Sequence, residues 1–220
     1  MMVIMATPAS TRKRLKRESL ARVLGAAARR IRQEGLSGAS IASVMADAGL
    51  THGAFYSHFS SKEDLEIAAF THAITAGRAQ WIPPMRGEGW NDRLKRLAKR
   101  YLTTAHREDL ENSCGFAALA SEAAHASAEF RIAYERELRA SLAAICGTES
   151  PSAADFDDAV ALMAVLIGGL TLARAVPDEA LSDRILRVAR RAAIQLADAT
   201  TDRAEIAANR RSVSGRRARR

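Results

Sequence analysis

The stretch 40–62, SIASVMADAGLTHGAFYSHFSSK, gathers residue types suited to a nucleic-acid backbone. Ser40 and Thr51 stand where helices can begin. A hydroxyl at such a start caps the first turn, and the free backbone N–H groups there can bind phosphate. Tyr56 and His58 can donate to phosphate oxygens, and Gly53 allows close approach to a backbone. Lys62 opens the next helix within reach of a neighbouring phosphate. His52 and Ser57 complete the polar face. The expected DNA-facing set is therefore Ser40, Thr51, His52, Gly53, Tyr56, Ser57, His58 and Lys62.

Other chemistry finds less support. The histidines at 52, 58, 72, 106 and 125 form no HExxH spacing, and Cys114 and Cys146 form no CxxC pair. No GxSxG elbow and no phosphate loop occurs. The expectation is no enzyme, no metal and no cofactor. His72 and His106 could line a pocket, although a satisfied helix histidine is the commoner case. Gly168-Gly169 lies within an apolar stretch and reads as close helix packing.

The elements that must carry these residues are helices. Leu20, Leu24, Ala27 and Ile31 share one face of a helix over about 17–34, which Gly35 stops. A short helix follows Ser40, carrying Ile41, Val44, Met45 and Ala48, and Gly49 ends it. A second short helix runs from Thr51 to Phe59. Val44, Ala48, Leu50 and Phe55 pin the two together, with Phe55 and Phe59 facing inward. A tight turn between two short helices is the helix-turn-helix arrangement, whose second helix enters the major groove. Ser60 and Ser61 before Glu63 and Asp64 cap a helix over about 62–80. After a break at Trp81–Gly89, helices are expected near 91–106, 114–125, 127–146, 155–175 and 179–199, nine in all. The last is expected to bury Leu181, Ile185, Val188, Ala192 and Leu196. Nothing reads as a strand, so the fold class is all-α.

The stretch 20–66 resembles the DNA-binding region of TetR-type regulators. The run from Ala48 through Gly49, Gly53, Phe55-Tyr56, His58-Phe59 and Lys62-Glu63 to Leu65 matches that family's pattern in order and spacing. Two positions depart from it: His52 stands where Lys or Arg is frequent, and Ser57 where a large residue is frequent. The resemblance implies an N-terminal three-helix DNA-binding domain and a larger helical body for ligand binding and dimerisation. It also implies repression relieved by a small molecule. Cys114, in Ser113-Cys114-Gly115-Phe116 with Ser121-Glu122 following, resembles the helix start of family members that sense electrophiles. A helix N-terminus can activate a thiol, whereas a small buried cysteine is the alternative. Candidate effector-wall residues are Trp81, Met85, Tyr101, Phe116 and Met163.

Charge and composition agree with this outline. The net charge of +8 sits at the ends: +4 over residues 11–18 and +6 over 203–220, leaving −2 for the rest. Terminal basic clusters suit a polyanion or a solvated tail. The arm at Arg12–Arg17 is expected to add phosphate or minor-groove contacts. Apolar residues make up 48% of the 220, enough for a sizeable core, while the 5% of aromatics and abundant alanine favour helix over strand. The apolar run 159–173 is shorter than the roughly 20 residues of a membrane span, and no secretory leader is seen. A cytoplasmic protein without a membrane partner is expected. The expected organisation is a flexible leader over 1–10, a DNA-binding head over 11–66, a body over 67–200 and a basic flexible tail over 201–220. Its partners are double-stranded DNA with a palindromic operator, a small-molecule effector and a second copy of the chain. A small-molecule-binding helical protein without specific DNA binding is the alternative.

Overall fold

α1 runs from Pro8 to Gly38 with a kink at Gly35, whose φ is 74°. In the computed structural model, residues 8–83 and 87–217 are described, with side chains over 11–83 and 87–200. Alanine and arginine favour helix, so α1 starts earlier than the expected residue 17. The expected leader therefore shrinks, and its residues 1–7 lie outside the described ones. The helix stops where the sequence requires, because a left-handed conformation costs glycine little. α2 spans Ile41–Asp47, and its N-cap Ser40 accepts from the Ser43 amide. Gly49 adopts φ 66°. Gly49 N–H bonds to Ala46 C=O and Leu50 N–H to Met45 C=O, a Schellman turn that satisfies the end of α2.

The expected third helix is a shorter 3₁₀ helix, His52–Ser57. α3 covers Lys62–Trp81. Its cap is a capping box whose reciprocal bond reaches one residue further back: Ser61 Oγ accepts from Asp64 N–H at 3.0 Å, and the Asp64 carboxylate accepts from the Ser60 amide at 3.2 Å and from its hydroxyl. α4 is Trp90–Tyr101 and α5 is Thr104–Glu108. One helix was expected over 91–106. Leu102, at ψ 71°, breaks it, and Thr103 caps the new start by accepting from His106 N–H. α6 spans Gly115–Ala123, α7 Ala128–Cys146, α8 Ala153–Ala175 and α9 Glu179–Arg217. α9 overruns its expected end at 199, since no glycine or proline interrupts 201–214. Residues 218–220 lie outside the described ones. There is no strand among the described residues.

The chain divides into two compact units, 1–77 with 110–137, and 78–109 with 138–220. These cut through α3 and α7, and they differ from the sequence-based boundary at 66. In the first unit, Ile31, Met45, Phe55, Leu65, Phe70 and Phe130 form the fully buried centre. α6 lies close on α3: a Cβ at Gly115 would come within 2.9 Å of Ile74 Cδ1. In the second unit, Leu94, Leu102, Leu162, Leu170 and Ile145 are fully buried. A Cβ at Gly169 would meet Ala189 Cβ at 2.6 Å, so this glycine sets the approach of α8 to α9. Gly168 has nothing within 4 Å and faces outward.

One expectation about α9 is reversed. Its residues buried within the chain are Ser182, Leu186, Ala193 and Ala197, whereas Leu181 and Val188 are 46% and 44% exposed. Ala192 is exposed too, and Ile185 and Leu196 are half-buried. Small residues take the inner face because α8 and α9 approach closely at Gly169. The stripe read from periodicity faces out instead, beside exposed Val160 and Leu172 of α8. α8 is itself long and apolar enough to cross a membrane, but it packs on α9 and α4.

Candidate nucleic-acid interface

An ion pair ties α2 to α1. Arg30 Nε donates to Asp47 Oδ2 at 2.6 Å, while its Nη1 pairs with Glu34 at 3.0 Å. The Arg30 hydrogen bond holds the Asp47 carboxyl below the usual carboxylate range. Beneath them, Val44 and Phe55 are fully buried and Ala48 nearly so, with Leu50 half-buried. The Phe55 and Phe59 rings stack at 5.7 Å. The 3₁₀ helix is thereby anchored by its apolar residues, which turns its polar ones outward.

Thr51, His52, Gly53, Tyr56 and Ser57 are all exposed, as expected. Tyr56 is 67% exposed and stands edge-on to Phe55 at 5.2 Å, so its base is held while its hydroxyl projects. His52 packs edge-on to Tyr56 at 6.2 Å. Thr51 makes no side-chain capping bond. Ser57 Oγ donates to Ala54 C=O at 2.7 Å. Ser40 is exposed but committed to capping, with its oxygen on Ser43 N–H and 2.7 Å from Ser43 Oγ.

Two of the expected contact residues also make bonds within the chain. His58 is half-buried, and its Nε2 lies 2.9 Å from Ser19 Oγ. Ser19 spends its only hydroxyl proton on Lys16 C=O, so Nε2 carries the ring proton and donates to Ser19. Burial first, then the Lys16 charge, lowers the His58 pKa and keeps the ring neutral. Its free Nδ1 is then an acceptor, unsuited to phosphate. His58 ties the recognition segment to α1. Lys62 Nζ donates to Leu36 C=O at 3.2 Å and pairs with Glu66 at 3.0 Å, so it too holds the head together. The positive charge on this side comes from α1. Arg12, Lys13, Lys16 and Arg17 are exposed, and Arg14 pairs with Glu18 at 3.0 Å.

The expected effector-wall residues divide between the units. In the second unit, Trp81 meets Tyr101 at 5.8 Å and stacks on His106 at 4.1 Å. His106 Nδ1 lies 2.8 Å from Tyr101 C=O, which can only accept, so Nδ1 carries the proton. Burial pushes the imidazole down to about 4, and the Arg174 charge acts in the same direction. Met163 is buried in the same unit. Phe116 belongs to the first unit, within an aromatic group with Phe70 and Tyr134 at 5.8 and 5.2 Å. Met85 lies outside the described residues. Cys114 is half-buried as the N-cap residue of α6. Its proximity adds to the burial that pushes the Tyr134 hydroxyl up to about 12. Cys146 differs: burial raises its thiol pKa, and its Sγ donates to Asp155 C=O at 3.8 Å. Among the described residues, no group of three His, Cys, Asp or Glu could hold a metal.

The fold is all-helical, with an N-terminal helix-turn-helix and a helical C-terminal portion. Residues 23–69 match the family described as bacterial regulatory proteins, tetR family. Members of that family are DNA-binding transcriptional regulators, generally ligand-responsive and typically dimeric. Among solved structures, NemR of E. coli in its reduced form is 18% identical with a TM-score of 0.65, over 80% of this chain and 94% of that one. A TetR regulator from Chloroflexus aurantiacus is 22% identical with a TM-score of 0.65, over 83% and 95%. A transcriptional regulator from Rhodococcus sp. is 24% identical with a TM-score of 0.61, over 80% and 94%. At these identities the likeness is one of fold. No curated protein sequence matches the chain.

Proposed function

We propose that this protein is a homodimeric repressor that binds a palindromic operator and leaves it when a small molecule binds the body. Residues about 11–66 act as the head and about 67–200 as the body. The observation that carries this is the recognition face: five polar or small residues, Thr51, His52, Gly53, Tyr56 and Ser57, are exposed on a segment whose apolar side is locked. Base edges are read from this face, while exposed Arg12, Lys13, Lys16 and Arg17 supply phosphate contacts. The outward stripe of α8 and α9 takes a second copy, and twofold symmetry then sets two recognition segments about one DNA turn or a multiple apart. In the second unit, Trp81, Tyr101 and the neutral His106 form a wall for an effector, with Met163 as a further candidate, and Phe116 is a separate candidate in the first unit.

The test is selection of a duplex sequence from a random library, followed by titration at several salt concentrations. Tyr56→Ala is expected to weaken binding to the selected duplex at least about tenfold, the scale of a lost base-edge contact. It should leave binding to unrelated DNA nearly unchanged. If no sequence is enriched and Tyr56→Ala changes nothing, the basic ends act alone. The alternative of a small-molecule-binding protein then takes over.

We infer a separate effector contact in the first unit, at Cys114. Of the two thiols, only this one stands at a helix N-terminus. One fold neighbour, NemR, was solved in a reduced form. An electrophile added to this sulfur would push on α6. N-ethylmaleimide is expected to release wild-type protein from the selected duplex and to leave Cys114→Ser bound. Equal release of both would rule out Cys114.

A further inference from the structure

The connection between α1 and α2 is held from a segment far along the chain. Leu36 N–H donates to Glu122 Oε2 at 2.8 Å. The other oxygen of the carboxylate fills the place a side chain at Gly35 would need: a Cβ there would collide with Oε1 and stand 3.0 Å from the carboxyl carbon. Gly35 therefore meets two demands, a φ of 74° and an empty side where the carboxylate sits. The same residue is gripped on its other side, since Leu36 C=O accepts from Lys62 Nζ at 3.2 Å. Just before it, Arg32 Nε donates to Glu111 C=O at 2.5 Å and Gln33 Nε2 to Glu111 Oε1 at 3.4 Å. Residue 111 precedes α6 and residue 122 lies in its last turn, so both ends of that segment hold the last turn of α1. All of these groups belong to the first compact unit.

The geometry points to Glu122 as a positioning residue for DNA recognition, which fixes the α1–α2 turn and so the direction in which α2 and the 3₁₀ helix leave α1. This rests on the regulator function proposed above. α2 begins only five residues after Leu36, and helix-turn-helix docking tolerates little misdirection, because functional constellations work within about 0.5 Å and 10–20°. Glu122 lies 86 residues from Leu36, outside any head drawn from sequence. A carboxylate accepting a backbone N–H makes a charge-assisted bond, and its removal leaves the half-buried amide without this acceptor. It follows that a shift of α6 reaches the recognition segment through this carboxylate.

The experiment uses the full chain and the duplex that the wild type selects. Affinity for that duplex, affinity for unrelated DNA, thermal midpoint and Leu36 amide exchange are measured together. Glu122→Ala is expected to bind the selected duplex about tenfold more weakly, with unrelated DNA bound as before. Glu122→Gln, whose amide oxygen still accepts from Leu36 N–H, should recover most of the loss and keep the Leu36 amide protected. Gly35→Ala, which displaces the carboxylate, should also weaken selected-duplex binding, and adding Glu122→Ala to it should cost little more. Wild-type affinity in Glu122→Ala, equal losses in the Ala and Gln variants, or additive losses in the double variant would each overturn the proposal. Failure of the wild type to select any duplex would overturn the regulator function itself, and Tyr56→Ala serves as its separate control.

Discussion

Arginine at Leu172 and Val188 together should give a folded monomer whose affinity for its operator falls on the order of 10²–10⁴-fold, the gain that bivalent engagement normally supplies. Both side chains are open in the single chain, 60% and 44% exposed, so folding should tolerate the change within about 0.5 kcal/mol. In a twofold assembly the same stripe is covered by its own copy. Each arginine would then be buried without a partner and set near its twin, and an unpaired buried charge costs several kcal/mol. Sedimentation velocity and operator titration read the two consequences, and a thermal melt checks the fold. A double variant that stays dimeric with full affinity would move the dimer contact off α8 and α9.

The second large effect is on acid stability. The folded His106 titrates at about 4, against about 6.5 unfolded. As pH falls, the unfolded chain takes up the proton first, so stability is complete above about 6.5 and drains away down to about 4. That difference corresponds to a loss of up to about 3 kcal/mol. His106→Asn removes the titration while its amide can still donate to Tyr101 C=O. Urea unfolding at pH 7.5 and 4.5 should therefore show the wild type losing about 2–3 kcal/mol more than the variant. Equal losses would mean that the imidazole is not held neutral beneath Trp81.

Local signals carried much of the architecture. Gly35 and Gly49 stop α1 and α2 because their backbone conformations suit glycine, and a glycine before or after a periodic run can be read directly. Ser40 and Ser61 cap helices by bonds that reach three residues, well within the range of sequence patterns. The split at Leu102 was not legible, because Leu94, Leu97, Ala98, Tyr101 and Leu102 keep helical spacing and the stop depends on Thr103 capping the next start. His58 and Lys62 were legible as polar residues near a recognition segment. Their actual partners, Ser19 and the Leu36 carbonyl, lie 39 and 26 residues away.

The amino-acid sequence by itself determined the helical class, the helix-turn-helix and the outward set Thr51, His52, Gly53, Tyr56 and Ser57. These follow from spacing, capping and periodicity, which act over a few residues. Tertiary structure alone decided which face of α9 turns inward, since close approach at Gly169 favours small residues there and leaves Leu181 and Val188 outside. It also decided that Trp81 stacks on His106 and that Glu122 grips the end of α1. Periodicity tells that a face is apolar but not what covers it. Contacts between distant segments depend on how helices pack, and packing is set by the whole core.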